Sequence, residues 1–212
     1  MSKCIVVMGC YRSGTSAVAG ILHHLGVNMG GGFQEPNGAN PKGYFEDPKI
    51  LRLNQTLYEA DINENEGSYW EAYTPLNSEL IRREENCPPD VLWGFKDPKW
   101  CLNAKKFWAS EVRNSKVIDV QRDVTDTAIS LMKSVGVYDQ DAGNDKWVNF
   151  VRHYNREKAE YLKEVHHGSI KTVNFKHLLS RPTMTIESIV HWAGIPTNGA
   201  SKRRAAHFIK EN

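Results

Sequence analysis

Gly9-Cys10-Tyr11-Arg12-Ser13-Gly14-Thr15-Ser16 is the stretch that decides the fold. It nearly spells a nucleotide-binding P-loop, G-x-x-x-x-G-K-[ST], whose lysine reaches the β- and γ-phosphates and whose last hydroxyl binds magnesium. Both glycines and Ser16 are in register, but Thr15 stands at the lysine position and the cation is Arg12, inside the loop. Consecutive backbone N–H groups ahead of a helix still form an anion-binding concavity. Such a loop suits phosphate and is poorly equipped to cleave the γ-phosphate of Mg·ATP. The expected ligand is a phosphorylated nucleotide whose transferable group is not a γ-phosphate.

The flanks agree with the loop. Cys4-Ile5-Val6-Val7-Met8 is an apolar, β-branched run that suits a buried parallel strand. After the loop, Ala17, Val18, Ile21, Leu22 and Leu25 recur at helical spacing, and Gly26 offers a left-handed stop. Residues 28–47 are rich in Gly, Asn and Pro, so they form a long loop, which in a compact domain is usually functional.

Further along, helices are expected at about 48–60 and 76–86, with Tyr69 and Trp70 in a separate segment between them. Strands are expected at 91–95, 116–120 and 170–175, and helices at about 99–110, 124–134, 144–166, 175–180 and 183–193. The helix at 144–166 is the clearest, with Trp147, Phe150, Val151, Tyr154, Tyr161, Leu162 and Val165 on one stripe. The tail from Ser201 reads as a basic segment carrying Lys202, Arg203, Arg204 and Lys210. Alternating strands and helices predict an α/β fold of three layers, a P-loop-type central parallel sheet flanked by helices, over residues 1–212 as one domain. Ligands of such sheets sit beyond the carboxyl ends of the strands. That rule gathers the glycine loop, Lys96-Asp97 and Arg122 at one edge.

Composition narrows the classes. With 212 residues and a net charge of +2, the chain lacks the massed basic footprint of a general nucleic-acid binder. The four cysteines make no C-x-x-C pair and no secreted-type framework, which points to reduced thiols and a cytoplasmic setting. A strand from residue 4 leaves no room for a signal peptide, and no apolar run approaches a membrane span. The sequon at Asn54 is then without consequence. His23-His24 and His166-His167 are adjacent pairs whose rings diverge, so no metal site is expected. Trp93, Trp100, Trp108 and Trp147 read as core, although one aromatic could sit against an adenine.

At these residues the chain resembles the sulfotransferase superfamily, whose donor is 3′-phosphoadenosine 5′-phosphosulfate (PAPS). Arg12-Ser13-Gly14-Thr15-Ser16 matches its [KR]-S-G-T-[ST] loop, and the resemblance implies that these residues hold the 5′-phosphosulfate. The family's second motif is an arginine after a strand with a serine eight residues on, both binding the 3′-phosphate. Arg122 and Ser130 have that spacing. Two anchors are needed because PAPS carries phosphates at opposite ends of its ribose, and arginines with backbone dipoles neutralise them without magnesium. Residues 40–46, 95–98 and 173–179 resemble further family elements, mostly packing patterns. A C-terminal basic segment clamps the 3′-phosphate in relatives, which makes Arg203 a candidate, although a solvated charge run is the simpler reading.

The resemblance also implies a chemistry. Sulfuryl transfer is an in-line displacement governed by positioning and charge stabilisation. Arg12 and the loop N–H groups would stabilise the departing 5′-phosphate of the product, 3′-phosphoadenosine 5′-phosphate (PAP). Lys96 aligns with a strand-end lysine that lies near the transferring group in cytosolic members. Their catalytic histidine falls on Pro98 here, which cannot act as a base. Two carboxylates remain, Glu46 at the end of the long loop and Asp97, which would otherwise cap the helix after Pro98. The acceptor would be a hydroxyl or amine of a small molecule or carbohydrate. The competing readings are a magnesium-dependent P-loop kinase, disfavoured by Thr15, and a non-catalytic PAP-binding module.

Overall fold

The computed structural model describes residues 3–38, 40–63, 66–106, 115–136 and 144–210. Four strands, β1 (Cys4–Met8), β2 (Trp93–Lys96), β3 (Lys116–Gln121) and β4 (Ile170–Asn174), form one parallel sheet in the order β2-β1-β3-β4. The central strand alternates strictly. Cys4, Val6 and Met8 enter one core and Ile5 and Val7 the other, so both faces of the sheet are buried.

One face carries α1 (Thr15–His24), α8 (Pro182–Ala193) and α9 (Gly199–Lys210), with Ile21, Leu22, Ile189 and Ala205 packed against the sheet. The other carries α2 (Pro48–Ile62), α3 (Glu66–Asn86), α4 (Trp100–Asn103), α5 (Val124–Ser134) and α6 (Asn144–Leu162). A short α7 (Phe175–Ser180) follows β4. The α/β architecture expected from the sequence is the one observed. No helix among the described residues is long and apolar enough to cross a membrane.

Several boundaries differ from expectation for identifiable reasons. Residues 66–86 form one helix across Pro75, not two segments. A proline inside a helix costs about 3 kcal/mol, but Ala72, Leu76 and Leu80 fall at i, i+4 and i+8 and are all buried against α2. The long helix α6 stops at Leu162, and Glu164 and Val165 then close on Tyr161 and Leu162 through i→i−3 bonds, so Val165 stays buried in a turn. Phe175 opens α7 instead of ending β4, because Asn174 caps that helix by accepting from the His177 N–H at 3.1 Å. After α4 the chain passes into a 3₁₀ turn, Ala104–Lys106; the rest of the helix expected there, with Trp108, lies outside the described residues. Trp93 and Trp100 are core side chains, as expected.

The tail read as a basic segment is the amphipathic helix α9. Ser201, Ala205 and Ile209 are buried, Phe208 packs against the same core, and Arg203 and Arg204 are exposed.

Candidate active site

The glycine loop leaves β1 and enters α1 at the carboxyl edge of the sheet. Two features hold its shape. Ser13 Oγ and N–H both donate to the Cys10 carbonyl, at 2.7 and 3.1 Å, closing the turn. Gly14 adopts φ 101°, and a Cβ there would lie 2.2 Å from the Phe175 ring. Only glycine serves at that position. Arg12, with φ 64°, is in the left-handed region despite its side chain. Non-glycine residues held there store of order 1–3 kcal/mol and concentrate at ligand sites.

Arg12 is fixed from both ends. Its Nε donates to Ser130 Oγ on α5 at 3.2 Å, and its carbonyl accepts from Arg122 Nη1 at 2.9 Å. Arg122 follows β3 and lies over the Phe175 ring at 5.1 Å; partial burial lowers its pKa from the ordinary guanidinium value. The two guanidinium groups thus share one cleft, and among the described residues neither forms an ion pair with a carboxylate.

The cation absent from position 15 arrives from the next strand. Lys96, at the end of β2 and almost wholly buried, donates to Ser16 Oγ at 3.2 Å and to Glu46 Oε1 at 2.5 Å. Burial pulls the Lys96 pKa down, and the neighbouring Glu46 carboxylate opposes that shift. Glu46 is presented by Phe45, the second non-glycine residue with positive φ, at 53°. The cap of α2 is Asp47, which accepts from the Lys49 and Ile50 N–H groups. Glu46 is therefore spared for the cleft.

Asp97 is placed differently. It is fully buried, accepts from Asn54 Nδ2 at 2.7 Å and from the Lys99 N–H at 2.9 Å, and does not line the cleft. Desolvation pushes its pKa up to about 6. Asn103 Nδ2 donates in turn to the Asn54 backbone carbonyl at 3.0 Å. The network ties α2 to the segment after β2, and it buries the side chain of the Asn54 sequon.

Of the other expected site residues, Gly14, Thr15 and Ser16 line the cleft with Arg12, Glu46, Lys96 and Arg122. Ser13 braces the loop from beneath. Ser130 reaches the cleft through Arg12. Arg203 is exposed on α9 and does not line the cleft. Residues not singled out from the sequence complete the walls. Asn40 Nδ2 donates to Ser16 Oγ at 3.1 Å, and Lys42 Nζ donates to the carbonyls of Phe208 and Ile209 at the end of α9. Tyr11, Phe175 and Ile209 supply apolar surface. The i, i+4 spacing of Ala205 and Ile209 within the basic tail was the available sign of α9.

Residues 4–199 match the family model described as the sulfotransferase family. The chain belongs to the sulfotransferase family. A comparison with curated proteins finds no match. Among solved structures, the sulfotransferase domain of the Synechococcus PCC 7002 olefin synthase aligns with a TM-score of 0.60 at 14% identity, over 93% of this chain and 75% of that one. Sulfotransferase STF9 of Mycobacterium avium aligns at 0.58 and 11% identity, over 98% and 68%. Retinol dehydratase, solved with androsterone and the inactive cofactor PAP, aligns at 0.52 and 15% identity, over 98% and 64%. These likenesses establish a shared fold for this sulfotransferase.

Proposed function

We propose that the protein transfers a sulfuryl group from PAPS to a hydroxyl or amine of a small-molecule or carbohydrate acceptor, with residues 1–212 acting as one catalytic domain. The observation that carries this reading is the Lys96–Glu46 pair against Ser16, beside two guanidinium groups that form no ion pair with a described carboxylate. Such a site fits a ligand with two phosphate groups and a transferable group between loop and carboxylate. The PAP bound to retinol dehydratase, a protein of the same fold, supports the choice of nucleotide.

In this reading PAPS supplies an activated sulfuryl group on a phosphate leaving group. Arg12 and the N–H groups of the loop bind the 5′-phosphate end and stabilise the charge that gathers there on departure. Arg122 and Ser130 anchor the 3′-phosphate, each charge-assisted bond contributing about 1.5–3 kcal/mol. Lys96 turns from Glu46 toward the transferring group, and Glu46 takes the acceptor proton. Asp97 holds the frame through Asn54 and takes no proton from the acceptor. Arg203, outside the cleft, stays in solvent. No magnesium is needed, and the four cysteines, buried and outside any disulfide, fit a cytoplasmic enzyme.

Thermal stabilisation tests the reading. PAP is expected to raise Tm with and without magnesium, and Arg12→Ala and Arg122→Ala each to diminish the rise at a fixed PAP concentration. A shift produced by ATP only with magnesium, and none by PAP, would replace the sulfotransferase assignment with a kinase.

A further inference from the structure

Two sequence features play no part in the cleft, the pairs His23-His24 and Arg203-Arg204. The fold brings three of these four side chains together. α1 ends in the two histidines, α9 packs across it, and His23, His24 and Arg204 line one open hollow with Thr197, Asn198 and Ser201. The hollow shares no residue with the nucleotide cleft, and none of its lining residues is acidic.

The His23 and His24 rings do not diverge as expected from their adjacency but lie 5.7 Å apart between centroids, and both are held in place. His24 packs against Phe208 at 4.9 Å between centroids, and His23 against Phe33 and Phe45, each at 5.6 Å. Among the described residues none of these three side chains forms an ion pair with a carboxylate, so the Arg204 charge has no counter-charge in the hollow. The consequence appears at His24, whose pKa is lowered by burial first and then by the positive charges of His23 and Arg204. An unmatched guanidinium in a hollow lined by imidazoles and no acidic residue favours an occupant of the opposite sign.

We propose that this hollow is a binding site for a phosphate- or sulfate-class oxyanion, held by Arg204 and the two histidines. A guanidinium fork engages two oxygens of such an ion at once, and imidazole N–H groups complete the shell. The site differs from the glycine loop in composition and place. Through the contact of His23 with Phe45, an occupant lies one aromatic side chain from Glu46.

The test follows the imidazole proton resonances of the full chain during titration with inorganic phosphate, and separately sulfate, with sodium chloride holding ionic strength constant. His23→Gln and His24→Gln assign the signals. Phosphate is expected to raise the apparent pKa of His24 saturably, by about one unit. Arg204→Ala, at an exposed position, is expected to abolish saturation. Sulfate should behave as phosphate does, and chloride should not. A drift that chloride reproduces, or a curve unchanged by Arg204→Ala, would overturn the proposal. Loss of the effect in Arg12→Ala would do so too, since the anion would then be acting from the glycine loop.

Discussion

Arg122 Nη1 donates to the carbonyl oxygen of Arg12 at 2.9 Å, while Arg12 Nε donates to Ser130 Oγ at 3.2 Å. Two residues 110 positions apart therefore share one hydrogen-bonded unit across the mouth of the cleft. Arg12 sits in a left-handed conformation that few side chains adopt unaided, and Arg122 supports it there.

That unit makes Arg122 more than a point charge. Arg122→Ala removes a phosphate contact and the brace on the loop together, so PAP affinity is expected to fall roughly ten- to hundredfold, the equivalent of about 1.5–3 kcal/mol. Arg122→Lys keeps the charge without the fork and should recover only part of the loss. Isothermal titration calorimetry of the two variants checks both statements.

Glu46 and Lys96 make the second coupled pair. Glu46→Gln removes the proton acceptor without emptying the position. Transfer from PAPS, followed as PAP release in single turnover with an active acceptor, is expected to fall by about 10²–10⁴-fold. PAP affinity should stay within a few-fold of wild type. Transfer at the wild-type rate would remove Glu46 from the proton-transfer role.

Asp97 provides a pH signature. Its folded pKa, about 6, lies above the ordinary carboxylate value of 3.8 because burial disfavours the charged form. The native state thus binds more protons than the unfolded chain between these values. The contribution of Asp97 is fully present at low pH and is lost as pH rises through 6. Relative to Asp97→Asn, the wild type should lose about 2–3 kcal/mol of stability between about pH 4 and pH 7. Urea unfolding of both proteins across that range measures the difference directly.

Lys42 fastens the long loop to the end of α9 through the carbonyls of Phe208 and Ile209. Lys42→Met keeps the stem and removes the cation from a helix C-terminus. A loss of about 1–2 kcal/mol is expected, seen as a Tm fall of about 2–8 °C in a chain of this size.

How far the sequence reveals this molecule depends on distance along the chain. The glycine loop was legible because its conformation is dictated locally, by Gly14 and by the β1 run before it. Arg122 and Ser130 were legible as a spacing on one strand-helix unit. The Lys96–Glu46 pair was not, since fifty residues separate partners that only the sheet order brings together. Glu46 was the first candidate base and Asp97 the second, and burial separates them, with Asn54 and the Lys99 N–H occupying Asp97. The basic residues of the tail masked α9, whose apolar stripe places Ile209, not Arg203, in the cleft. The single helix over residues 66–86 reads as two segments in the sequence because its continuity across Pro75 rests on burial of Ala72, Leu76 and Leu80 against α2, which is a tertiary effect.

The most direct test of the two-anchor site is calorimetric binding of PAP against adenosine 5′-phosphate, which lacks the 3′-phosphate, without magnesium, to wild type and Arg122→Ala. Wild type is expected to prefer PAP by roughly tenfold or more, and Arg122→Ala to erase the preference. Equal affinity of the wild type for both nucleotides would contradict the two-anchor site.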